Sequence, residues 1–198
     1  MKIRLGYVAI SNSLPFTSSS PYTYTEYQKN NNLDKLDKVI KSNLEGLSKI
    51  IDYNIKNNIH FYRISSKLIP LATHPDINFD YIDKYKTYYN EIKEKIKKSN
   101  MRVDFHPDQF TVLNSTNKEV VNKSINNLEY HYKILEALGI KNKILVLHVG
   151  SNVFGKEKSI KRFINNYRLL PNHLQSIIAL ENDDKIFNIE DVTNISKI

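Results

Sequence analysis

The sequence predicts an α/β fold built on a parallel sheet, of barrel type rather than an open nucleotide-binding sheet. Three observations predict it. Apolar runs alternate with stretches of three-and-four periodicity along the chain. No β-hairpin signal interrupts them, and parallel strands need crossover helices. No glycine-rich phosphate fingerprint follows the first strand, where Gly6 stands alone, which argues against a Rossmann-type domain.

Each element can be justified in order. Ile3 to Ile10 is an apolar-rich run that suits a buried strand. Residues 11–32 are rich in Ser, Thr, Tyr, Pro and Asn without apolar period, and predict a long loop. Leu33, Leu36, Ile40, Leu44, Leu47 and Ile51 form one helical stripe. Ile59 to Ser65 is a second strand, followed by a loop punctuated by Pro70 and Pro75. Asp80 to Ser99 is a lysine-rich helix whose interleaved acids favour a solvated face over a nucleic-acid stripe.

Met101 to Phe105 is a third strand. Val121, Ile125, Leu128, Tyr132, Leu135 and Leu138 mark the next helix, with Gly139 placed to end it. Lys143 to Leu147 is a fourth strand, Glu157 to Arg168 a helix with Pro171 beyond it, and Ser176 to Leu180 a fifth strand. Asn188, with Asp191 three residues on, predicts a capped last helix.

Composition narrows the function classes. The 198 residues suit a single domain spanning 1–198. With no cysteine, a disulfide scaffold, a zinc ribbon and a thiol nucleophile are excluded. The net charge of +8 suits a polyanion such as nucleic acid or an anionic membrane surface. Charge alone does not choose between such a partner and a solvated basic surface. No apolar run reaches membrane-span length, and Met1 to Val8 lacks the pattern of a signal peptide. The expectation is an intracellular protein, cytoplasmic or, in a eukaryote, nuclear.

Chemistry collects just past the predicted strand ends. The third strand runs into His106-Pro107-Asp108-Gln109-Phe110, the fourth into His148-Val149-Gly150-Ser151, the fifth into Glu181-Asn182-Asp183-Asp184, and His74-Pro75 follows the second. In a parallel barrel these ends share the catalytic face. Imidazole and carboxylate ligands there can hold a divalent transition metal. Only six histidines occur in the chain, yet two of them and Glu181 recur at equivalent positions of successive units. Two imidazoles and one carboxylate leave most of a cation's charge free to polarise a phosphate oxygen. Gln109-Phe110 offers an aromatic plane and an amide suited to entering a base stack, although Phe110 alone would more simply be packed. His60, His131 and His173 fit the pattern poorly and are expected to be structural or at the surface, with His173 in a loop.

At these residues the sequence resembles the UV damage endonuclease family. The matching segments include Arg4-Leu5-Gly6-Tyr7, Tyr62-Arg63-Ile64-Ser65-Ser66, Leu68-Ile69-Pro70, His74-Pro75, His106-Pro107-Asp108-Gln109-Phe110, Val112-Leu113-Asn114, Leu147-His148-Val149-Gly150, Arg162-Phe163 and Leu180-Glu181-Asn182-Asp183. The resemblance implies a TIM-barrel (β/α)8 endonuclease related to apurinic endonucleases of the endonuclease IV type, with about five of the eight βα units in this chain. It implies nicking of double-stranded DNA immediately 5′ of UV photolesions, pyrimidine dimers and 6-4 products, with divalent ions. Manganese is the usual ion, and Mg²⁺, Zn²⁺ or Co²⁺ are the alternatives.

Carried over by position, His106, His148 and Glu181 match metal ligands, with Glu181 as a bridge between ions. His74 matches an active-site histidine. Gln109 and Phe110 match the pair that probes the lesion, and Tyr7 a tyrosine near the damaged nucleotides. Asn12, or Ser11, takes the place of a polar residue shortly after that tyrosine.

The resemblance also implies missing parts. A full barrel of about 250 residues would add three strands, further Asp, His and Glu ligands and a lysine. The expectation is therefore at most one well-made metal site in this chain. The chain is then a fragment, a decayed copy or one part of a pair; the enzyme, if complete, is expected as a monomer. The alternatives to a nuclease are an inactive DNA-binding remnant and a sugar-isomerase-like metal barrel. The latter gives Gln109-Phe110 and the basic balance no role.

Overall fold

A computed structural model describes residues 3–30 and 33–197. Met1 and Lys2, Asn31 and Asn32 of the expected long loop, and Ile198 lie outside the described residues. The chain forms two compact units. One comprises the residues up to Phe105 together with Lys133–Lys141; the other comprises His106–Tyr132 and the chain from Asn142 onward.

The first unit contains β1 (Gly6–Val8), α1 (Tyr24–Asn30), α2 (Leu33–Lys56), β2 (Phe61–Ile64), α3 (Lys86–Ser99) and β3 (Arg102–Phe105). β1 pairs with β2 and β2 with β3, all parallel, with Tyr7 opposite Tyr62 and Arg63 opposite Asp104. The α2 stripe is the core of this unit: Leu36, Ile40, Leu44, Leu47 and Ile51 are buried and α2 packs on α3. Burying such aliphatic side chains stabilises by about 1.5–3 kcal/mol each before the entropy of ordering them. Asp104 is buried on β3, where the Arg63 guanidinium reaches both carboxylate oxygens, at 2.9 and 3.2 Å.

Three local departures from the expected elements have physical causes. β1 is shorter than Ile3 to Ile10 because Ala9 adopts the left-handed region at φ 52° and Ile10 N–H turns back to Val8 O. The segment 11–32 is not all loop, since it holds α1. Thr23 Oγ1 accepts Glu26 N–H and Glu26 Oε2 accepts Thr23 N–H, a capping box legible as Thr-x-x-Glu. The remaining loop is tied down by buried Asn43, which bonds Ser20 N, Ser20 O and Leu68 O. α3 begins at Lys86 rather than Asp80 because the Asp80 carboxylate takes the N–H groups of Ile82 and Asp83, holding a turn there.

α4 (Lys118–Ala137) follows β3 and starts behind Asn117, whose side chain accepts Glu119 N–H. It ends as predicted at Gly139, which takes φ 67°. The second unit adds β4 (Leu145–His148), α5 (Lys156–Arg168), α6 (Asn172–Gln175), β5 (Ile178–Glu181) and α7 (Ile189–Ile195). β4 and β5 pair in parallel, with His148 opposite Glu181. Leu145, Leu147, Phe163, Leu174 and Phe187 are buried in this unit. α7 carries the predicted cap: Asn188 accepts Asp191 N–H and Asp191 accepts Asn188 N–H. His173 lies in short helix α6 rather than in a loop, because Pro171 O takes the N–H groups of Leu174 and Gln175 and starts a turn. Among the described residues, no helix is long and apolar enough to cross a membrane.

Candidate metal centre

His106, His148 and Glu181 converge in the second unit. His106 directly follows β3, while His148 and Glu181 are the last residues of the paired strands β4 and β5. Parallel register therefore sets His148 beside Glu181. One ligand atom from each of the three residues lies within 4.8 Å of the others. The two imidazole rings are 5.0 Å apart, and His106 Nε2 is 3.4 Å from Glu181 Oε2.

These residues fit a divalent ion. His106 Nε2 and Glu181 Oε2 stand 3.4 Å apart, close enough for both to bind one ion at about 2.0–2.2 Å each. The His106 ring is also oriented for the task. Its Nδ1 lies 2.9 Å from Pro107 O, and a carbonyl only accepts, so in the neutral ring Nδ1 carries the proton and Nε2 presents its lone pair. Such a carbonyl partner fixes the tautomer of metal-binding histidines. Side-chain exposures of 25% for His106 and 46% for Glu181 leave the group open to solvent and substrate.

The loops that follow His106 and His148 are bound to one another. Buried Asn114 donates from Nδ2 to Ser151 O at 2.7 Å and accepts Ser151 N–H at Oδ1 at 3.0 Å. It thus joins the loop after His106 to the loop after His148. Arg162 of α5 donates to Asn114 O and Val153 O, at 2.9 and 2.6 Å. Gly150 takes φ 111°, and a Cβ there would stand 2.4 Å from Asn114 Oδ1. Asp183, two residues past Glu181, faces into its own loop. Burial pushes its carboxyl up, but the N–H groups of Ile186, Lys185 and Phe187, with His148 nearby, outweigh that and hold it below the usual range.

Gln109 and Phe110 form a turn held by Asp108, whose Oδ1 accepts Phe110 N–H. Phe110 is 76% exposed, so ordinary packing does not account for it. In the first unit, Tyr7 is half-buried against the Tyr62 ring and donates to Asn54 Oδ1 at 2.9 Å. Burial raises its hydroxyl above the usual value. Asn12 is exposed in a turn. His74 stacks on Tyr24 with ring centroids 3.8 Å apart, and its Nδ1 accepts Asp76 N–H at 3.3 Å. Tyr24 in turn donates to Asp76 at 2.6 Å.

The remaining histidines serve structure or surface. His60 is exposed before β2. His173 pairs with Glu129 at 2.9 Å. His131 is wholly buried in α4, and its Nδ1 bonds Asn127 O at 2.7 Å; burial lowers its pKa to about 4. Local pattern gives no hint of the parts played by Asn114 and Arg162. Their only signal is membership of the Val112-Leu113-Asn114 and Arg162-Phe163 segments.

A sequence model of the UV-endonuclease UvdE matches residues 3–197 of this chain. The chain belongs to the UvdE family. A UvdE relative, the UV DNA damage endonuclease of Bacillus cereus strain B4264, is 40% identical over 98% of the chain and 63% of its own length. The UV DNA damage endonuclease of Bacillus anthracis strain A0248 is 41% identical over 93% of the chain and 60% of its own length. The chain thus spans about three fifths of these relatives. Among solved structures, SacUVDE superposes with a TM-score of 0.92 at 38% identity, over 99% of this chain and 66% of that one. Endonuclease IV from Thermus thermophilus shares the fold of this UvdE chain, with a TM-score of 0.52 at 14% identity over 76% of it and 54% of that chain.

Proposed function

We propose that this chain carries the metal-binding and lesion-probing part of a DNA repair endonuclease, which cuts a DNA strand immediately 5′ of a UV photolesion by metal-assisted phosphodiester hydrolysis. The convergence of His106, His148 and Glu181 at three successive strand ends carries this reading. Those three residues would hold a divalent ion, manganese first among the candidates. When bound, such an ion supplies Lewis-acid stabilisation of the negative charge that grows on a phosphodiester under attack.

The chain's own residues take the other roles. The His74 Nδ1 accepts a backbone N–H, which leaves the proton of the neutral ring on Nε2. That tautomer suits donation to a phosphate oxygen and does not suit Nε2 ligation of a metal. Gln109 and Phe110, at an exposed turn, enter the duplex at the lesion. Tyr7 and Asn12 contact the damaged nucleotides. The net charge of +8 favours approach to the DNA backbone. The name UV DNA damage endonuclease borne by the relatives supports this assignment.

The test is incision. The purified chain is incubated with Mn²⁺ and a duplex bearing one pyrimidine dimer, beside a full-length relative, and products are mapped on a sequencing gel. A nick 5′ of the dimer, lost in Glu181→Ala, is the expected result. DNA binding without a nick, where the relative cuts, would instead favour a binding-only role.

A further inference from the structure

Phe154 is built into the loop after β4 at a structural cost that packing does not explain. Gly155 N–H bonds Asn152 O at 3.2 Å, closing a four-residue turn. Phe154 is the third residue of that turn and takes φ 63°, while Val153 before it does not take a positive φ. That is the type II pattern, whose third position calls for glycine or asparagine. A phenylalanine there is strained, and its ring is 73% exposed, so burial does not offset the strain. The turn is nevertheless clamped: Val153 O accepts from both Arg162 and buried Ser159, at 2.6 and 3.1 Å. A strained residue held by its surroundings at a ligand-bearing loop is a reason to look for function.

The clamp also ties Phe154 to Phe110. Arg162 donates to Val153 O and to Asn114 O, and Asn114 bonds Ser151. The two exposed phenylalanines thus stand on the loops that follow His106 and His148, and one side-chain network joins those loops. From this we propose that Phe154 is a second stacking residue for damaged DNA, which receives a base unstacked by the lesion. Aromatic faces accept any base, and the surface of a distorted duplex offers such faces where intact DNA does not. The inference rests on the proposed DNA function and adds a specificity-determining residue to it.

Fluorescence anisotropy without added metal would compare a duplex bearing one cyclobutane pyrimidine dimer with the undamaged duplex. Phe154→Asn keeps a residue that tolerates the left-handed conformation, so its melting temperature should equal or exceed that of the wild type. Its affinity for damaged duplex should fall by roughly five- to 150-fold, the range for loss of one base–aromatic stack. Affinity for intact duplex and the salt dependence, which report phosphate contacts, should not change. Phe154→Tyr should restore wild-type discrimination. Unchanged discrimination in Phe154→Asn, with Phe110→Ala impaired, overturns this inference and leaves the DNA function standing. A wild-type chain that binds both duplexes alike, or neither, overturns both.

Discussion

His106 turns Nε2 toward Glu181 Oε2 at 3.4 Å while its Nδ1 bonds the Pro107 carbonyl at 2.9 Å. In the neutral ring Nδ1 carries the proton and Nε2 turns its lone pair toward the carboxylate, and one ligand atom of His148 lies within 4.8 Å of both, a group that could hold a cation.

Glu181→Ala should therefore remove the only carboxylate of the triad. Loss of an outer partner of a metal site typically costs 10–100-fold in affinity, and loss of a ligand should cost at least that. His74→Ala leaves the triad whole and should bind Mn²⁺ as the wild type does. Calorimetric titration of both variants decides the matter; equal residual affinity would count against the ligand role of Glu181.

Replacing Gln109 and Phe110 together by alanine should leave metal binding intact, since neither belongs to the triad. Preference for damaged over intact duplex should drop, because the exposed turn held by Asp108 loses both its amide and its ring. Competition binding with the two duplexes gives the answer directly. A double variant that discriminates as well as the wild type would remove the pair from lesion recognition.

Asn114→Ala would strip the Ser151 N–H and C=O of their partner. A fully buried group left unsatisfied costs about 1–3 kcal/mol, and these half-buried groups should cost less than that. Gly150→Ala would press a Cβ onto Asn114 Oδ1 and force alanine to φ 111°, so it too should destabilise, by at least 1–2 kcal/mol on the order of a left-handed penalty. Both variants should also weaken Mn²⁺ binding, because the His148 loop loses its anchor. Urea denaturation and the same metal titration measure the two effects; a stable Asn114→Ala with full metal affinity would contradict the anchoring role.

His131 makes stability depend on pH in a defined direction. Its pKa is lowered to about 4 in the folded chain, chiefly by burial, against about 6.5 when unfolded. The unfolded state therefore binds the extra proton first as pH falls. Stability from this group is complete above about pH 6.5 and declines progressively as pH approaches 4, by on the order of 3 kcal/mol. A His131→Asn variant should show a flatter stability profile across that window. A wild-type profile as flat as the variant's would mean that the histidine is not held neutral.

What the sequence determined by itself was the periodic part. The α2 stripe, the Gly139 stop and the Asn188–Asp191 cap are local patterns, and local backbone physics is enough to read them, although Leu33, read as the first residue of that stripe, is left exposed at the helix start. The equivalence of His106, His148 and Glu181 was legible for the same reason: each sits at or just past the end of an apolar strand run.

Tertiary structure alone decided the rest. Ala9 ends β1 through a backbone conformation that its side chain does not announce. The Asn114–Ser151 pair lies 37 residues apart in sequence, and no local pattern encodes a hydrogen bond across that span. Phe110 is singled out beside Gln109, but Phe154 carries no local signal, and only folding leaves both rings in water. The physical reason is common to these cases. Periodicity records which face of an element is apolar, whereas a tautomer, a left-handed turn or a bond between distant loops exists only after the strands have set those loops side by side.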